Sequence, residues 1–258
     1  MKSLHRAIDL LAGFQARALL SVEEMAGITK WPKSSVYRFV RILRERGLLS
    51  LDPPTKKYRL GPLLYQLVRT AGPDLCQLAQ PALERMTKES GESSFLSVRS
   101  GWETLYAASV ESPERIRFTA PLGKAMPLYA GASAKVILAF MKEEEQRSYL
   151  RSVRLVRLCT ATLLDKKRLE QSLLLIRRRG YDFTQEELYR GAWGLAAPIL
   201  DEDGVAIASL AIRGVKFRLP QKKLPRFISL LREAAGQISE KLKNARTGEA
   251  LKSRRTGS

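Results

Sequence analysis

Between Lys33 and Arg46, cations, hydroxyls and an aromatic ring recur with the spacing of one helix. At about 100° per residue, such a helix separates an apolar face from a polar face. The apolar face suits packing against a core and consists of Val36, Phe39, Val40 and Leu43. The polar face carries groups that bind phosphates and base edges in the major groove of DNA. Its predicted contact residues are Lys33, Ser34, Ser35, Tyr37, Arg38 and Arg41.

The residues before this helix predict a shorter helix and a tight turn. Ser21 suits the N-cap, and Glu24 three residues later completes the sequence pattern of a capping box. Gly27 suits the end of the shorter helix. Lys30-Trp31-Pro32 forms the turn, because proline is tolerated in the opening turn of a helix. Gly47 is expected to end the longer helix in a left-handed conformation.

A basic hairpin is predicted directly after this pair of helices. Leu48–Leu51 and Lys56–Leu60 alternate as strands do, and the segment between them is rich in turn residues. A hairpin after the second helix makes this a winged helix-turn-helix, and the predicted wing contacts are Lys56, Lys57 and Arg59. The alternative is a small helical subdomain with a solvated basic face, because runs of charge often lie on solvated surfaces.

Two stretches of this region, WPKSSVYRFVRILRERGLL and KKYRLGPLL, resemble the DNA-binding half of the IclR-type transcriptional regulators. In that family the helix opens with a Pro-Lys-Ser-Ser/Thr run and the wing closes with Tyr-Arg-Leu-Gly. The chain departs from the family at the wing tip, where Lys56 stands in place of a frequent glycine. Because a side chain is strained where the backbone needs a positive φ, we expect a different turn around Pro53-Pro54.

The composition predicts a polyanionic partner. The chain has 258 residues, which suits two domains, and its net charge is +19. Residues 1–61 contribute +7, which leaves +12 outside the predicted DNA-binding segment. Attraction to nucleic acid should therefore be strong and weakened by salt. The charge also supports an alternative function, a protein that coats nucleic acid without choosing a sequence.

Residues that commonly build catalytic or metal sites are sparse. Cys76 and Cys159 lie far apart and form no CxxC pair, and His5 is the lone histidine. These residues supply neither a zinc site nor a Ser-His-Asp triad, and no glycine-rich phosphate loop occurs. We therefore predict no cofactor and no enzymatic activity; a rival hydrolase or transferase would have to turn over a small acid. The lack of a signal-peptide pattern and of roughly 18 continuous apolar residues predicts a cytoplasmic protein without a membrane span.

The expected fold class is α+β in two domains, the first of which opens with an amphipathic helix. That helix spans Ser3–Phe14, and the residues on its packing side are Leu4, Ala7, Ile8 and Leu11. The expected segments are 1–61 for the winged helix-turn-helix domain, 62–73 for a linker helix broken at Gly72-Pro73, 74–243 for the second domain and 244–258 for a basic disordered tail.

The second domain mixes helical and strand patterns. Helices are expected at Asp74–Glu89, Val136–Met141, Glu143–Leu150, Asp165–Arg179 and Gln221–Leu242, and strands at Ser94–Arg99, Thr104–Glu111, Arg115–Ala120, Gly191–Leu200 and Val205–Arg213. Asp201–Gly204 is a strong hairpin turn. An antiparallel sheet flanked by helices is a sensor-like α+β arrangement. PLYAGASAKVILAF and GAWGLAAPILDEDG match the second domain of the same family, a GAF/PAS-like effector-binding module.

The start of the helix at Ser133 is the best candidate for a ligand site. Free N–H groups and the positive end of the helix dipole at Ser133–Ala134 would receive a carboxylate; alternatively, Ser133 is only an N-cap. The resemblance implies a small organic acid in this pocket, surrounded by Ala132, Ser133, Thr184, Gly194, Ala211 and Arg213. Family members usually have glycine at the position of Ala134, often cysteine at Gly194, and often serine at Ala211 and Arg213.

Arg213 is the departure with the largest chemical consequence. Strict alternation along Val205–Arg213 places it on one strand face with Val205, Ile207, Ser209 and Ala211. If that face lines the pocket, the guanidinium would hold a carboxylate bidentately; otherwise Arg213 lies at the mouth of the strand and points to water. Glu186 and Glu187 lack a nucleophile or a metal partner, so a solvated loop or a cap is expected for them.

The resemblance also implies how the two domains work together. One short recognition helix contacts too few base pairs for useful specificity, so a homodimer or homotetramer is expected on a palindromic, double-stranded operator. The small organic-acid effector would act by favouring one arrangement of the DNA-binding domains over another.

Overall fold

The computed structural model describes residues 2–15, 17–70 and 74–255. The chain divides between Asp74 and Leu75 into an N-terminal unit and a C-terminal unit. The expected break of the linker at Gly72-Pro73 lies outside the described residues.

The N-terminal unit contains the helix-turn-helix and the hairpin that the sequence predicts. Its helices are α1 (Lys2–Ala12), α2 (Val22–Thr29), α3 (Lys33–Glu45) and α4 (Pro62–Thr70), with a 3₁₀ turn at Gly13–Gln15. Strands β1 (Leu49–Leu51) and β2 (Tyr58–Leu60) pair antiparallel. The capping box is confirmed, because Glu24 N–H donates to Ser21 Oγ (3.2 Å) and Ser21 N–H donates to Glu24 Oε2 (2.7 Å).

The apolar face of α3 is buried, as its periodicity predicts. The buried residues are Val36, Phe39, Val40 and Leu43. Gly47 follows the helix with φ 71° and completes a Schellman motif. In this motif Leu48 N–H donates to Leu43 C=O (2.8 Å) and Gly47 N–H donates to Arg44 C=O (2.9 Å). Because α3 is fixed to the core on one side, its opposite side forms a rigid surface.

Two local predictions in this unit are wrong, the first of them only in part. Of the four residues expected on the packing side of α1, Ala7 and Leu11 pack against the core, whereas Leu4 and Ile8 are 67% and 55% exposed. The fully buried residues are Leu10 of α1 and Phe14 of the 3₁₀ turn. The reason is that α1 has apolar residues on more than one side, and periodicity alone does not say which side meets the core. Gly27 does not end α2, since the helix continues to Thr29 and the left-handed residue is Lys30, with φ 60°.

The wing tip has left-handed backbone at Lys56, where φ is 56°. The expectation of a different turn around Pro53-Pro54 is therefore wrong. Hydrogen bonds across the hairpin impose this conformation: Lys56 N–H donates to Asp52 C=O (2.9 Å), and Asp52 N–H donates to Lys57 C=O (2.8 Å). Lys56 thus adopts a conformation that glycine would adopt with less strain.

The described part of the C-terminal unit is built on a six-stranded antiparallel sheet with helices on both faces, which confirms the expected α+β class. Its strands are β3 (Ser93–Ser100), β4 (Glu103–Val110), β5 (Ala125–Pro127), β6 (Asp182–Gln185), β7 (Ala192–Leu200) and β8 (Ala206–Val215), in the spatial order β5-β4-β3-β8-β7-β6. Its helices are α5 (Leu75–Ser90), α6 (Ala132–Ala139), α7 (Glu143–Ser152), α8 (Lys166–Arg179) and α9 (Leu224–Arg255).

Apolar layers cover both faces of this sheet. One layer joins α5 and α9 to Leu195 and Leu210, and the other joins α6 and α8 to Ala196 and Ala211. Adjacent residues of β7 and β8 therefore point to opposite layers, as a pleated strand requires. Small side chains on the second face let the first turn of α6 approach the strands closely.

Three expectations for this unit need correction. Arg115–Ala120 is irregular rather than a strand, and the strand that pairs with the outer edge of β4 is β5. The strand β6 is missing from the sequence analysis, since four residues are too few to show a clear alternation. α9 continues to Arg255, where a disordered tail was expected from residue 244. Its last part lacks apolar periodicity but is rich in good helix formers; 256–258 lie outside the described residues.

Candidate nucleic-acid interface and ligand pocket

The outward side of α3 and strand β2 of the wing border a groove of about 780 Å³. Tyr37, Arg38, Arg41 and Arg44 line it from the helix, and Tyr58 lines it from the wing. Tyr37 is 54% exposed, so its ring and hydroxyl are available to a ligand. The groove therefore brings together an aromatic ring and three cations on one rigid surface.

Three of the predicted DNA-contacting cations form ion pairs with carboxylates of their own unit. The pairs are Lys33–Glu23 (3.1 Å), Lys57–Glu24 (3.1 Å) and Arg41–Glu45 (3.8 Å). Exposed pairs of this kind are worth only about 0–1 kcal/mol. An incoming phosphate can therefore replace the carboxylate without a large loss of stability.

The remaining predicted contacts differ in exposure, and one cation was missed. Ser34, Lys56 and Arg59 are exposed, whereas Ser35 is half-buried in the first turn of α3. Arg44 lies in the groove although the sequence analysis does not select it. Helical spacing could have identified Arg44, because it follows Arg41 by three residues and Tyr37 by seven. This spacing keeps the three residues on one side of the helix.

Five of the predicted pocket residues meet between the start of α6 and the centre of the sheet. Thr184 pairs with Gly194, and Gly194 pairs with Arg213, so these three lie in one row across β6, β7 and β8. A Cβ atom on Gly194 would lie 3.6 Å from Thr184 Oγ1, 3.8 Å from Ala132 Cβ and 3.8 Å from Arg213 Cγ. Arg213 Nη2 lies 3.5 Å from the hydroxyl of Ser133, to which it donates.

The other two predicted pocket residues, Ala134 and Ala211, are buried as well. Ala211 packs in the apolar cluster beneath α6. The alternation predicted along β8 holds for Ser209, Ala211 and Arg213 but fails earlier, because Ile207 packs against the layer of α5 and α9. The cause is a register shift beside Ile199, which changes the phase of the strand.

Arg213 is a buried cation without a counter-ion in this pocket. Its side chain is 4% exposed, so the alternative in which it points to water is wrong. Its guanidinium carbon lies 5.2 Å from the ring centres of Tyr106 and Phe118, and its Nε has no hydrogen-bond partner in the part of the chain that the structure describes. Among the residues that the structure describes, no carboxylate pairs with it. Aromatic faces offset only part of the free energy needed to bury such a charge.

A second buried cation, Lys135, is fully paired. Its side chain is 2% exposed, and Nζ lies 2.6 Å from Glu187 Oε1 and 3.2 Å from Asp182 Oδ2. Burial alone would lower the pKa of Lys135, but the two carboxylates raise it, so the ammonium group stays charged. Burial raises the pKa of Glu187, and Lys135 opposes that rise. The cluster fastens α6 to β6 and to the loop that follows β6.

Glu187 also occupies part of the helix terminus that the sequence analysis assigns to a ligand. Its carboxylate accepts a hydrogen bond from Gly131 N–H (3.0 Å), and Gly131, with φ 81°, is the N-cap of α6. Ser133 is therefore not the N-cap. Glu186 accepts from Gly191 N–H (2.9 Å) and pairs with Lys216. The expected role of a cap holds for Glu187, which is in addition buried against Lys135, whereas Glu186 bonds the loop before β7.

The space left in the pocket is about 20 Å³, which is room for about one water molecule. The missing side chain of Gly194 leaves space for the stem of Arg213. Tyr106, Phe118 and Glu187 are neighbours of the pocket that the sequence does not predict. Tyr106 and Phe118 belong to segments far from Arg213 along the chain, and only the fold reveals that they meet.

No helix within residues 2–15, 17–70 and 74–255 is long and apolar enough to cross a membrane. The same part of the chain holds no group of three or more histidine, cysteine, aspartate or glutamate side chains that could bind a metal ion.

Both units match known protein families. Residues 3–53 match the IclR helix-turn-helix domain, and residues 69–240 match the C-terminal domain of the bacterial transcriptional regulator IclR. The HTH-type transcriptional regulator KipR of Bacillus subtilis is 30% identical over 93% of this chain and 97% of its own length. The crystal structure of the Thermotoga maritima IclR has a TM-score of 0.72 and 30% identity, covering 94% of this chain and 99% of that one. An IclR homolog from Microbacterium hydrocarbonoxydans, complexed with 4-hydroxybenzoate, has a TM-score of 0.70 and 26% identity, covering 93% of this chain and 98% of that one.

Proposed function

The chain belongs to the IclR family of bacterial transcriptional regulators, and on that premise we propose that it binds a specific operator with α3 and the wing and responds to a small organic acid bound in the C-terminal unit. In this proposal the protein acts in the cytoplasm as a homo-oligomer and catalyses no reaction. The effector changes DNA binding by preferring one arrangement of the DNA-binding units.

The observation that carries the DNA-binding proposal is the division of α3 into two faces. One face is fixed in the core of the N-terminal unit, and the other lines a groove with Tyr37, Arg38, Arg41 and Arg44. A rigid helix with cations on its outer side fits the major groove, which is about 12 Å wide. In this proposal the exposed wing residues Lys56 and Arg59 contact the DNA backbone or the minor groove.

Arg38→Ala is expected to weaken binding to the operator by about 1–3 kcal/mol and to relax discrimination at one base position. The physical reason is that a guanidinium can read guanine bidentately, whereas alanine cannot. The measurement is fluorescence anisotropy with a duplex that the full-length protein selects from a random pool, compared with a set of single-base variants of that duplex.

The matched control is Arg59→Ala on the wing, since Arg59 is exposed and Lys57 is already paired with Glu24. This change should weaken binding to all duplexes alike. The slope of log binding constant against log salt concentration should fall by about one, the contribution of one phosphate contact. Equal and sequence-independent losses for both variants would contradict base readout by α3. A wild-type protein that binds selected and random duplexes equally well would instead support the nucleic-acid-coating alternative, which the +19 charge favours.

The effector proposal is supported by the uncompensated charge of Arg213. A carboxylate would supply the counter-ion that the buried guanidinium lacks, with Thr184 and the start of α6 close by. Ala132, Ser133 and Gly194, which lie beside Thr184 and Arg213, are small and would leave the ligand close to the backbone. The complex of a related protein with 4-hydroxybenzoate is consistent with an acid ligand in this family.

A homodimer or homotetramer on a palindromic operator is supported by the exposed apolar side of α1. Leu4 and Ile8 are 67% and 55% exposed there, and burying them against a second copy would be favourable. We expect light scattering of the full-length protein at micromolar concentration to give at least the mass of a dimer. Leu4→Glu should shift the population toward monomer; a wild-type monomer both with and without operator DNA would contradict the proposal.

A further inference from the structure

Phe118 is the large inward-facing residue of an irregular and mostly exposed segment, 113–124, in which the small Ala120 also packs inward. Its neighbours Arg117 and Thr119 are exposed, whereas Phe118 itself is half-buried. No helix or strand includes 113–124; the segment is tethered by hydrogen bonds from Gly123 N–H to Tyr106 C=O (2.8 Å) and from Arg218 to Ile116 C=O (3.1 Å). The segment can therefore move away from the sheet without breaking a strand ladder.

The ring of Phe118 lies above the unpaired cation of the pocket. It is 5.2 Å from the guanidinium carbon of Arg213, 5.6 Å from the ring of Phe95 in an edge-to-face arrangement, and 5.2 Å from the ring of Tyr189. The ring of Tyr106 also lies 5.2 Å from the same guanidinium carbon. An aromatic ring is thus already accommodated next to Arg213, but it brings no negative charge.

We propose that Phe118 is a plug that holds the place of the effector's ring, and that the effector is an aromatic monocarboxylate which displaces Phe118 and gives Arg213 its missing counter-ion. This inference rests on the proposed function, since it specifies the class of acid bound at the same site. Phe118 reaches this site through Arg213 and Tyr189, both of which also line the remaining space of about 20 Å³.

The charges around the pocket select a single carboxylate. Lys135 is committed to Asp182 and Glu187, so Arg213 is the unpaired cation among the described pocket residues. A second carboxylate on the ligand would approach Glu187, which lines the same space, and like charges at close range repel. The walls select a flat ring, because Phe95 and Tyr189 offer edge and face contacts that a saturated ring satisfies less well.

The binding test uses calorimetry on the full-length protein with benzoate, cyclohexanecarboxylate and benzamide. Benzoate has both the ring and the charge, and we expect it to bind. Cyclohexanecarboxylate keeps the charge without the aromatic ring, and we expect its affinity to be about fivefold lower. Benzamide keeps the ring without the charge, and we expect no detectable binding, since it leaves Arg213 without a counter-ion.

Substitutions of Phe118 and Arg213 test the role of each residue separately. Phe118→Ala should tighten benzoate binding about tenfold, because no ring has to leave its contacts before the ligand enters. The matched control is Ile116→Ala on the same segment, where a 62% exposed side chain is removed and the affinity should stay unchanged. Arg213→Met should abolish benzoate binding without lowering the midpoint of thermal unfolding, because it removes an unpaired buried charge.

The outcomes distinguish this inference from the broader proposal. Weaker benzoate binding in Phe118→Ala, or equal affinities for benzoate and cyclohexanecarboxylate, would overturn the plug and the aromatic class but leave an acid site at Arg213. If neither acid binds to the wild type or to Phe118→Ala, or if benzamide binds as tightly as benzoate, the organic-acid proposal fails and this inference fails with it.

Discussion

Replacing Lys135 by methionine is expected to lower the free energy of unfolding of the C-terminal unit by about 3–5 kcal/mol. Methionine keeps much of the apolar stem but removes the ammonium group between two carboxylates. Asp182 and Glu187 would then remain buried without a cation between them. Removing one partner of a buried ion pair destabilises more than replacing the whole pair, because the remaining charge stays desolvated.

The loss in free energy of unfolding caused by Lys135→Met should depend on pH. Burial raises the pKa of Glu187, and in the wild type Lys135 opposes that rise; without the lysine the folded-state pKa moves further above the unfolded value. The folded state then binds a proton more tightly than the unfolded chain does. Stability is therefore lost as pH rises from the unfolded pKa of about 4.3 through the folded pKa. The difference between wild type and Lys135→Met should be largest at neutral pH and smaller near pH ~5.

Hydrogen exchange of the β7 and β8 amides measures this effect within the C-terminal unit. The matched control is Lys167→Met, which replaces an exposed lysine on α8 and should change protection by less than about 0.5 kcal/mol. Equal protection in the two variants at neutral pH would contradict a stabilising role for the cluster. Arg213→Met should behave differently from Lys135→Met, because one buried cation has counter-ions and the other has none.

Replacing Gly61 by alanine is expected to destabilise the N-terminal unit by about 3 kcal/mol or more. Gly61 closes the wing against the loop after α3, where its N–H donates to Leu48 C=O (2.8 Å). A Cβ atom at this position would lie 2.2 Å from the carbonyl oxygen of Gly47. That oxygen is backbone and cannot rotate away, so the hairpin has to separate from α3.

Gly27→Ala in the same unit is the matched control with the opposite expected sign. A Cβ atom on Gly27 would meet nothing within 4 Å, and the residue lies inside α2. Alanine in a helix is favoured over glycine by about 0.5–1 kcal/mol, so this variant should gain stability. Exchange protection of the α3 amides reports both changes, together with operator binding, which Gly61→Ala should abolish. A stable and DNA-binding Gly61→Ala protein would show that the wing can separate from α3 without loss.

The sequence by itself determined the features that depend on neighbours within one or two turns. The two faces of α3, the capping box of Ser21 and Glu24, and the stop at Gly47 follow from helical spacing and backbone preference, and the structure confirms each. Motif resemblance added the family and the order of its two domains. Local reasoning failed at Gly27, because glycine can lie inside a helix as well as end one. It also failed for part of α1, because apolar residues occur on more than one side of that helix.

Only the tertiary structure decided the state of the buried charges. Lys135 is about fifty positions from both Asp182 and Glu187, and no periodic pattern links it to them, yet the three form one cluster. The sequence did not decide whether the side chain of Arg213 faces the ligand pocket or water. Its environment depends on strand pairing, on the register shift beside Ile199 and on rings from distant segments. Phe118 was assigned to a strand, whereas the edge of β4 pairs with β5 and leaves it in an irregular segment over the pocket. These properties arise from long-range packing, which brings together residues whose contacts cannot be predicted from the sequence around either of them.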